Sequence, residues 1–228
     1  MNLLLFLNND IHSATALTLL SPFLKTHRVK IILSQKVGNV DKLPLELIAM
    51  KKFEQDFDRG IFGDMVSYED VNSENALGDF RDFLPDLIIS IRFGQIFKPA
   101  LIKIPRLGVL NLHSGILPKY RGILASFWAV LNGEKKLGMT LHYITDSGID
   151  TGDIIGFSES EIDWNSSLFS NINMLYRGGC TLLLEVLEKI SAGEKIAVIP
   201  QSKFGVGQYF SYPKDDDVKK FLRVMRLV

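Results

Sequence analysis

The sequence predicts an α/β fold: a mostly parallel, twisted sheet with helices on both faces, plus a short C-terminal α/β extension. Three observations carry this reading. Short apolar segments recur at residues 2–8, 28–34 and 86–91, and the first is a continuous apolar run, as a strand covered on both faces requires. Helix-like segments separate them, and alternation of strand and helix builds a parallel sheet. With 228 residues, 46% of them hydrophobic, the chain is long enough for one full domain with a packed core and a small appendage.

In chain order, NLLLFLN (2–8) is the first buried strand, followed by a helix at about 13–25 and a second strand, RVKIILS, at 28–34. Residues 43–59 read as a helix, with apolar positions set between charged ones. A helix at 74–83 precedes Pro85 and the strand at 86–91, and a short helix near 96–103 leads to the strand LGVLNL at 107–112. The segment 123–132 is a helix closed by Gly133 in the C′ position. From 138 the pattern changes. Met139, Leu141 and Tyr143 alternate with Thr140, His142 and Ile144, and 153–162 offers a partner strand beyond a Gly- and Asp-rich turn. A long, mostly apolar helix spans 166–192 and ends at Gly193. The Rossmann-like body therefore covers 1–192 and the extension 193–228. The extension contains a short strand (IAVIP), an aromatic loop (GQYFSYP) and a helix with Val218, Phe221, Leu222 and Met225 on one face. That i, i+3, i+4, i+7 spacing needs a surface to pack against.

Composition excludes several classes of function. Lys+Arg and Asp+Glu are equal at 26 each, so the basic excess of a nucleic-acid binder is absent and no nucleic-acid partner is expected. Cys180 is the only cysteine, which leaves no disulfide framework and no Cys-rich metal site. The N-terminal apolar run is too short for a signal peptide or membrane span, so a soluble, cytoplasmic protein with no membrane partner is expected. The cluster Asp146, Asp150 and Asp153 fails as a calcium loop, because Gly148 and Phe157 stand where an EF-hand needs oxygen ligands. Residues 8–13 (NNDIHS) hold no Gly-rich phosphate loop. His12, His27 and His142 have no partners at metal spacing and read as surface or satisfied structural residues. No metal is expected.

Asn111 and His113 lie two apart at the carboxyl end of a parallel strand, so their side chains point the same way. That edge of an open α/β sheet is where ligands bind. An amide and an imidazole side by side can both donate to one developing oxyanion. The turn TDSGIDTGD (145–153) puts a carboxylate over the same edge, and one carboxylate with one imidazole is the minimum for moving a proton between amines.

The run NLHSGILPKYRG, followed ~28 residues later by SGIDTGDII, resembles the folate-dependent formyltransferases, which include methionyl-tRNA, glycinamide-ribonucleotide and sugar-nucleotide enzymes. The likeness is strongest over 86–156 and weaker over about 1–190. It implies that Asn111, His113 and Asp150 are catalytic, and that N10-formyltetrahydrofolate is the formyl donor without a metal. The segment SIRFGQIF (90–97) resembles the loop whose backbone holds the pterin ring. Arg92, Phe93, Gly94 and Ile96, with Asp146, Ser147 and Gly148, are then the implied folate contacts. Ser114-Gly115 departs from the family's frequent Pro-Ser, which bears on subfamily and not on reaction.

Among the subfamilies, the methionyl-tRNA enzymes carry a substantial basic C-terminal domain, whereas ~35 residues of a neutral chain follow here. The glycinamide-ribonucleotide enzymes usually have the glycine-rich loop that NNDIHS lacks. The chain is most similar to the sugar-nucleotide N-formyltransferases. That implies a nucleotide-linked, dTDP-type dideoxy amino sugar as acceptor, made for a surface polysaccharide such as O-antigen. Lys119, Tyr120 and Arg121 are expected to line the cleft beside His113, and Tyr209 and Tyr212 to stack on a base or pack the extension in place. The apolar face of the last helix leads to the expectation of a homodimer. A formyl-folate hydrolase or a folate-binding relative is the alternative from another class.

Overall fold

The computed structural model describes residues 1–34 and 42–228. The most apolar strand, β1 (Asn2–Asn8), occupies the middle of the sheet, parallel to β2 (Arg28–Ser34) on one side. On its other side lies β4 (Leu87–Ile91), also parallel, while β3 (Met65–Val66) extends the sheet beyond β2. Next to β4 comes β5 (Val109–His113), the last parallel strand. Beyond it β7 (Lys136–Tyr143) and β8 (Ile154–Glu161) run antiparallel, giving the order β3-β2-β1-β4-β5-β7-β8. This is the mostly parallel α/β sheet that the sequence predicts.

Alternation along β1 divides the interior into two cores. Leu3, Leu5 and Leu7 face one layer with α1 (Ile11–Leu24), α5 (Ala125–Leu131) and α6 (Leu168–Ser191). Leu4 and Phe6 face the other, with α3 (Glu74–Phe83) and α4 (Pro99–Ile102). All five side chains are fully buried, a burial of roughly 2 kcal/mol apiece. Asp10 caps α1 through a 2.8 Å bond from the Ser13 amide, which fixes how the chain leaves β1. Cys180 is buried within α6, and its surroundings push the thiol up to about 12.

Several expected elements are shorter than the sequence suggests. The 43–59 segment divides into α2 (Leu45–Gln55) and a short turn at Arg59–Phe62, because the Asp58 carboxylate accepts from the Gly60 amide at 2.9 Å and bends the chain there. The 96–103 helix begins only at Pro99, whose fixed φ suits a first helical position. The IAVIP segment is not a strand. It makes a single antiparallel bridge, Ile199 to Ile154. Three short strands were not expected: β3, and β6 (Arg121–Gly122) and β9 (Tyr209–Phe210), which pair in parallel.

This small pairing docks the extension onto the body. Behind it, α7 (Asp215–Phe221) stacks Phe221 on Phe127 of α5, with ring centroids 4.5 Å apart. Val218, Phe221 and Met225 are buried in this contact while Leu222 faces solvent, so the helix face offered above as a reason for a homodimer is covered within the chain. The carbonyls of Arg226 and Leu227 accept from Leu168 and Phe169, giving partners to amides at the start of α6. Among the described residues, no helix is long and apolar enough to cross a membrane.

Candidate active site

The carboxyl ends of β4 and β5 and the turn from Ile144 to Asp150 open onto one cleft of ≈ 390 Å³. Register places Asn111 opposite His142 and His113 opposite Thr140 across the antiparallel β5–β7 pair. Thr140 donates to the Gly115 carbonyl at 2.6 Å and accepts from the Leu117 amide at 3.1 Å, holding the loop that follows His113.

Asp150 arrives from the turn in the left-handed region, φ 53, which costs a non-glycine residue about 1–2 kcal/mol and so needs support from its surroundings. Its Oδ2 lies 3.5 Å from His113 Nδ1 and accepts the Gly122 amide at 2.9 Å. Its Oδ1 lies 3.4 Å from Asn111 Nδ2. Gly122 sits at φ +94, and a Cβ there would collide with the Phe210 carbonyl oxygen; only glycine lets β9 approach while its amide faces Asp150. Burial raises the Asp150 carboxyl, but His113, His142 and the Gly122 amide together outweigh it and hold it at about 2. The acid is therefore an anion throughout the neutral range.

Hydrogen bonding fixes the tautomers. His113 Nε2 is 2.7 Å from the Tyr120 carbonyl, which can only accept, so that nitrogen carries the hydrogen. In the neutral ring Nδ1 is then a lone pair, beside Asp150. His142 Nδ1 faces the Tyr143 carbonyl at 2.9 Å, so its Nε2 accepts from Asn111 Nδ2 at 3.0 Å. One Asn111 hydrogen is committed to His142. The other makes only the long contact to Asp150 and is available to an incoming carbonyl oxygen.

Other expected contacts divide into those at the cleft and those elsewhere. Phe93, Gly94 and Ile96 line it, as do Asp146, Gly148, Tyr209 and Tyr212. Phe93 and Phe97 pack edge-on against Phe6, which fixes the loop from Arg92 to Phe97 on the core. Ser147 is exposed and does not line the cleft. Arg92 borders it, but its guanidinium turns into the interior, bonding Asp10 at 2.8 Å and Glu54 at 2.9 Å. Lys51 joins Glu54 at 2.7 Å. Burial raises both carboxyls of this cluster, and the cationic partners outweigh it and lower them. Two buried carboxylates therefore hold the Arg92 side chain, while the residue itself still borders the cleft.

Lys119 and Tyr120 do not share the cleft with His113. Both bond Glu134 and line a second cavity, ≈ 510 Å³, across the 115–120 loop, which includes none of Asn111, His113 and Asp150. Arg121 also points elsewhere, to Gln201. The backbone at Tyr120 stays on His113 Nε2, but the side chains of 119–121 turn away from the cleft, to Glu134 and Gln201. Sequence reasoning missed His142, Lys51 and Gln201. For His142 a signal existed, since pairing of 138–145 with β5 sets it beside Asn111. Among the described residues, no three His, Cys, Asp or Glu side chains are grouped to hold a metal ion.

Residues 26–187 match the family model described as formyl transferase. The methionyl-tRNA formyltransferase of Clostridium beijerinckii is 36% identical over 132 residues, 58% of this chain and 42% of that enzyme. The chain thus spans less than half the length of this curated relative. Two solved structures share the fold. The formyltransferase PseJ from Anoxybacillus kamchatkensis, in complex with UDP-4,6-dideoxy-4-formamido-L-AltNAc and tetrahydrofolate, gives a TM-score of 0.59 at 24% identity, covering 98% of this chain and 90% of that one. The N-formyltransferase from Helicobacter canadensis, in complex with folinic acid and dTDP-3-aminofucose, gives 0.58 at 22% identity over 95% and 72%. A family match over well more than half of the sequence, on a fold that brings Asn111, His113 and Asp150 together, leads to one conclusion: this chain belongs to the formyl transferase family.

Proposed function

We propose that the chain transfers a formyl group from N10-formyltetrahydrofolate to the amine of a nucleotide-linked dideoxy amino sugar. The observation that carries formyl transfer is the convergence of Asn111, His113 and Asp150 within 3.5 Å steps at one end of the cleft. The rest of the cleft fits a flat heterocycle with a polar edge: Phe93, Phe97, Leu124 and Ile144 form apolar walls, and Gly94, Gln95, Asp146 and Gly148 line it beside them. Bound there, the folate supplies an activated formyl carbon.

The chain's own groups do the rest. Asn111 Nδ2 offers its loosely held hydrogen to the formyl oxygen, a contact of the kind worth about 10²–10³ in rate. Attack by the neutral amine leaves a positively charged nitrogen on the adduct; His113 Nδ1 takes its proton, and Asp150 Oδ2 stabilises the imidazolium that results. His113 Nε2 stays on the Tyr120 carbonyl throughout, so the ring keeps its orientation. The imidazolium then returns the proton toward the departing nitrogen, directly or through one water.

The sugar acceptor is supported by the solved neighbours, formyltransferases that hold nucleotide sugars and align along nearly the whole chain. They carry UDP and dTDP sugars respectively, so either diphosphate suits the reading; a dTDP sugar destined for a surface polysaccharide in the cytoplasm is the narrower form. Tyr209, 54% exposed at the cleft mouth, and Tyr212 are the proposed base or sugar contacts. The name of the curated relative favours a second acceptor, methionyl-tRNA. Turnover with 10-formyltetrahydrofolate against UDP- and dTDP-amino sugars, glycinamide ribonucleotide and methionyl-tRNA decides between them. Formylation of nucleotide sugars alone is expected. Activity on methionyl-tRNA alone establishes the second acceptor, and formate release without any amine establishes a hydrolase.

A further inference from the structure

We propose that Gln201, carried by the C-terminal extension, is a positioning residue that holds Asp150 against His113; this rests on the role given to Asp150 above. Gln201 is buried, 5% exposed, in a 3₁₀ turn (Gln201–Phe204). Its Nε2 donates to the carbonyl of Asp150 at 2.8 Å and to the carbonyl of Gly152 at 2.7 Å. Its Oε1 accepts from Arg121 Nε at 3.0 Å and Nη2 at 2.6 Å. Carbonyls only accept and a guanidinium only donates, so chemistry sets which end of the amide faces which partner. Two donors and two lone pairs are all engaged.

The arrangement grips the acid from two sides. Gln201 holds the Asp150 backbone, and the Gly122 amide, one residue after Arg121, holds its carboxylate. Arg121 joins the two holds. The site needs such a brace, because Asp150 has a strained φ of 53 and residues 145–149 before it are exposed. Gly152 is equally constrained, since a Cβ there would collide with the Tyr143 carbonyl. The extension is itself anchored by the β6–β9 pairing and the Ile199–Ile154 bridge, so the amide reaches the turn from a fixed support.

The test is steady-state kinetics with 10-formyltetrahydrofolate and the accepted amine on Gln201→Glu, Gln201→Met, Arg121→Met and Asp150→Asn, each with a melting temperature. Gln201→Glu keeps the shape and the Arg121 contact but removes the donors to both carbonyls. It sets a carboxylate oxygen against two carbonyls, so it is expected to melt below the parent, and in the folded enzyme to lose about 10- to 100-fold in kcat with both KM values changed little. Gln201→Met, an apolar replacement of similar length, and Arg121→Met provide the same reading should the buried carboxylate prevent folding. Unchanged kcat in the folded Gln201 variants, with Asp150→Asn inactive, overturns the positioning role. An active Asp150→Asn overturns the reading of Asp150 itself.

Discussion

At the scale of single residues, Asp150 concentrates the consequences. Its carboxyl is held at about 2 against an ordinary 3.8, a folded value below the unfolded one. The stabilisation is therefore fully present above pH 3.8 and is lost as pH falls toward 2, a change of roughly 2 kcal/mol. An acid-unfolding series should show Asp150→Asn with a flatter dependence over that window than the parent. In catalysis the same substitution is expected to lower kcat by about 10²–10⁴, with the acceptor KM nearly unchanged. His142→Phe tests the neighbouring amide. With its closer acceptor removed and only the long contact to Asp150 left, Asn111 is less firmly oriented, and a kcat loss of about 10-fold is expected in the same assay. In the interior, Glu54→Gln leaves Arg92 and Lys51 facing a neutral amide. Breaking a buried pair of this kind costs about 3 kcal/mol, readable by urea unfolding.

At the scale of elements, what the sequence disclosed follows from where each element's partners lie. The strand β1 was legible to the residue, because burial on both faces leaves an unbroken apolar run, and β2 through the apolar run 31–33 toward its buried end. The helix α3 was equally plain, opened by Ser73 and carrying Ala76, Leu77, Phe80 and Phe83 on one face. The strands β6 and β9, two residues each, have no period to read and exist only because distant segments meet. The buried role of the Arg92 side chain was hidden for a related reason: Asp10 and Glu54, which claim it, come from 82 and 38 residues away. Asn111, His113 and Asp150 could be recognised through the motif, while Gln201, a glutamine in a polar loop, gave no signal at all. Gly122→Ala probes the element that sequence could not show. The added methyl meets the Phe210 carbonyl at a φ of +94, so β9 must separate from β6. Limited proteolysis should then cleave the extension faster than in the parent, with a loss of stability of about 2 kcal/mol or more.

At the scale of the whole molecule, body and extension are continuous in their packing: Phe221 on Phe127, Phe210 stacked between Tyr120 and Trp128, and the last residues against the start of α6. The cleft is walled by both, since Tyr209 and Tyr212 face it across from Phe93 and Ile96. A ligand filling that cleft therefore favours the folded state of both parts at once. A folate analogue at 100 times its Kd is expected to add about 2.7 kcal/mol, seen as one cooperative transition moving to higher temperature. Two separate transitions, with only one moving, would show that the parts unfold independently.

The lone thiol has a use of its own. Cys180 is buried in α6 and its sulfur is held protonated, so maleimide reagents should leave the native chain unlabelled while the unfolded chain reacts. A second cysteine introduced at Val206, 96% exposed on the extension, would then accept a fluorophore with no competing site. From that position the dye would report, in real time and without any substrate, whether the aromatic loop keeps its seat.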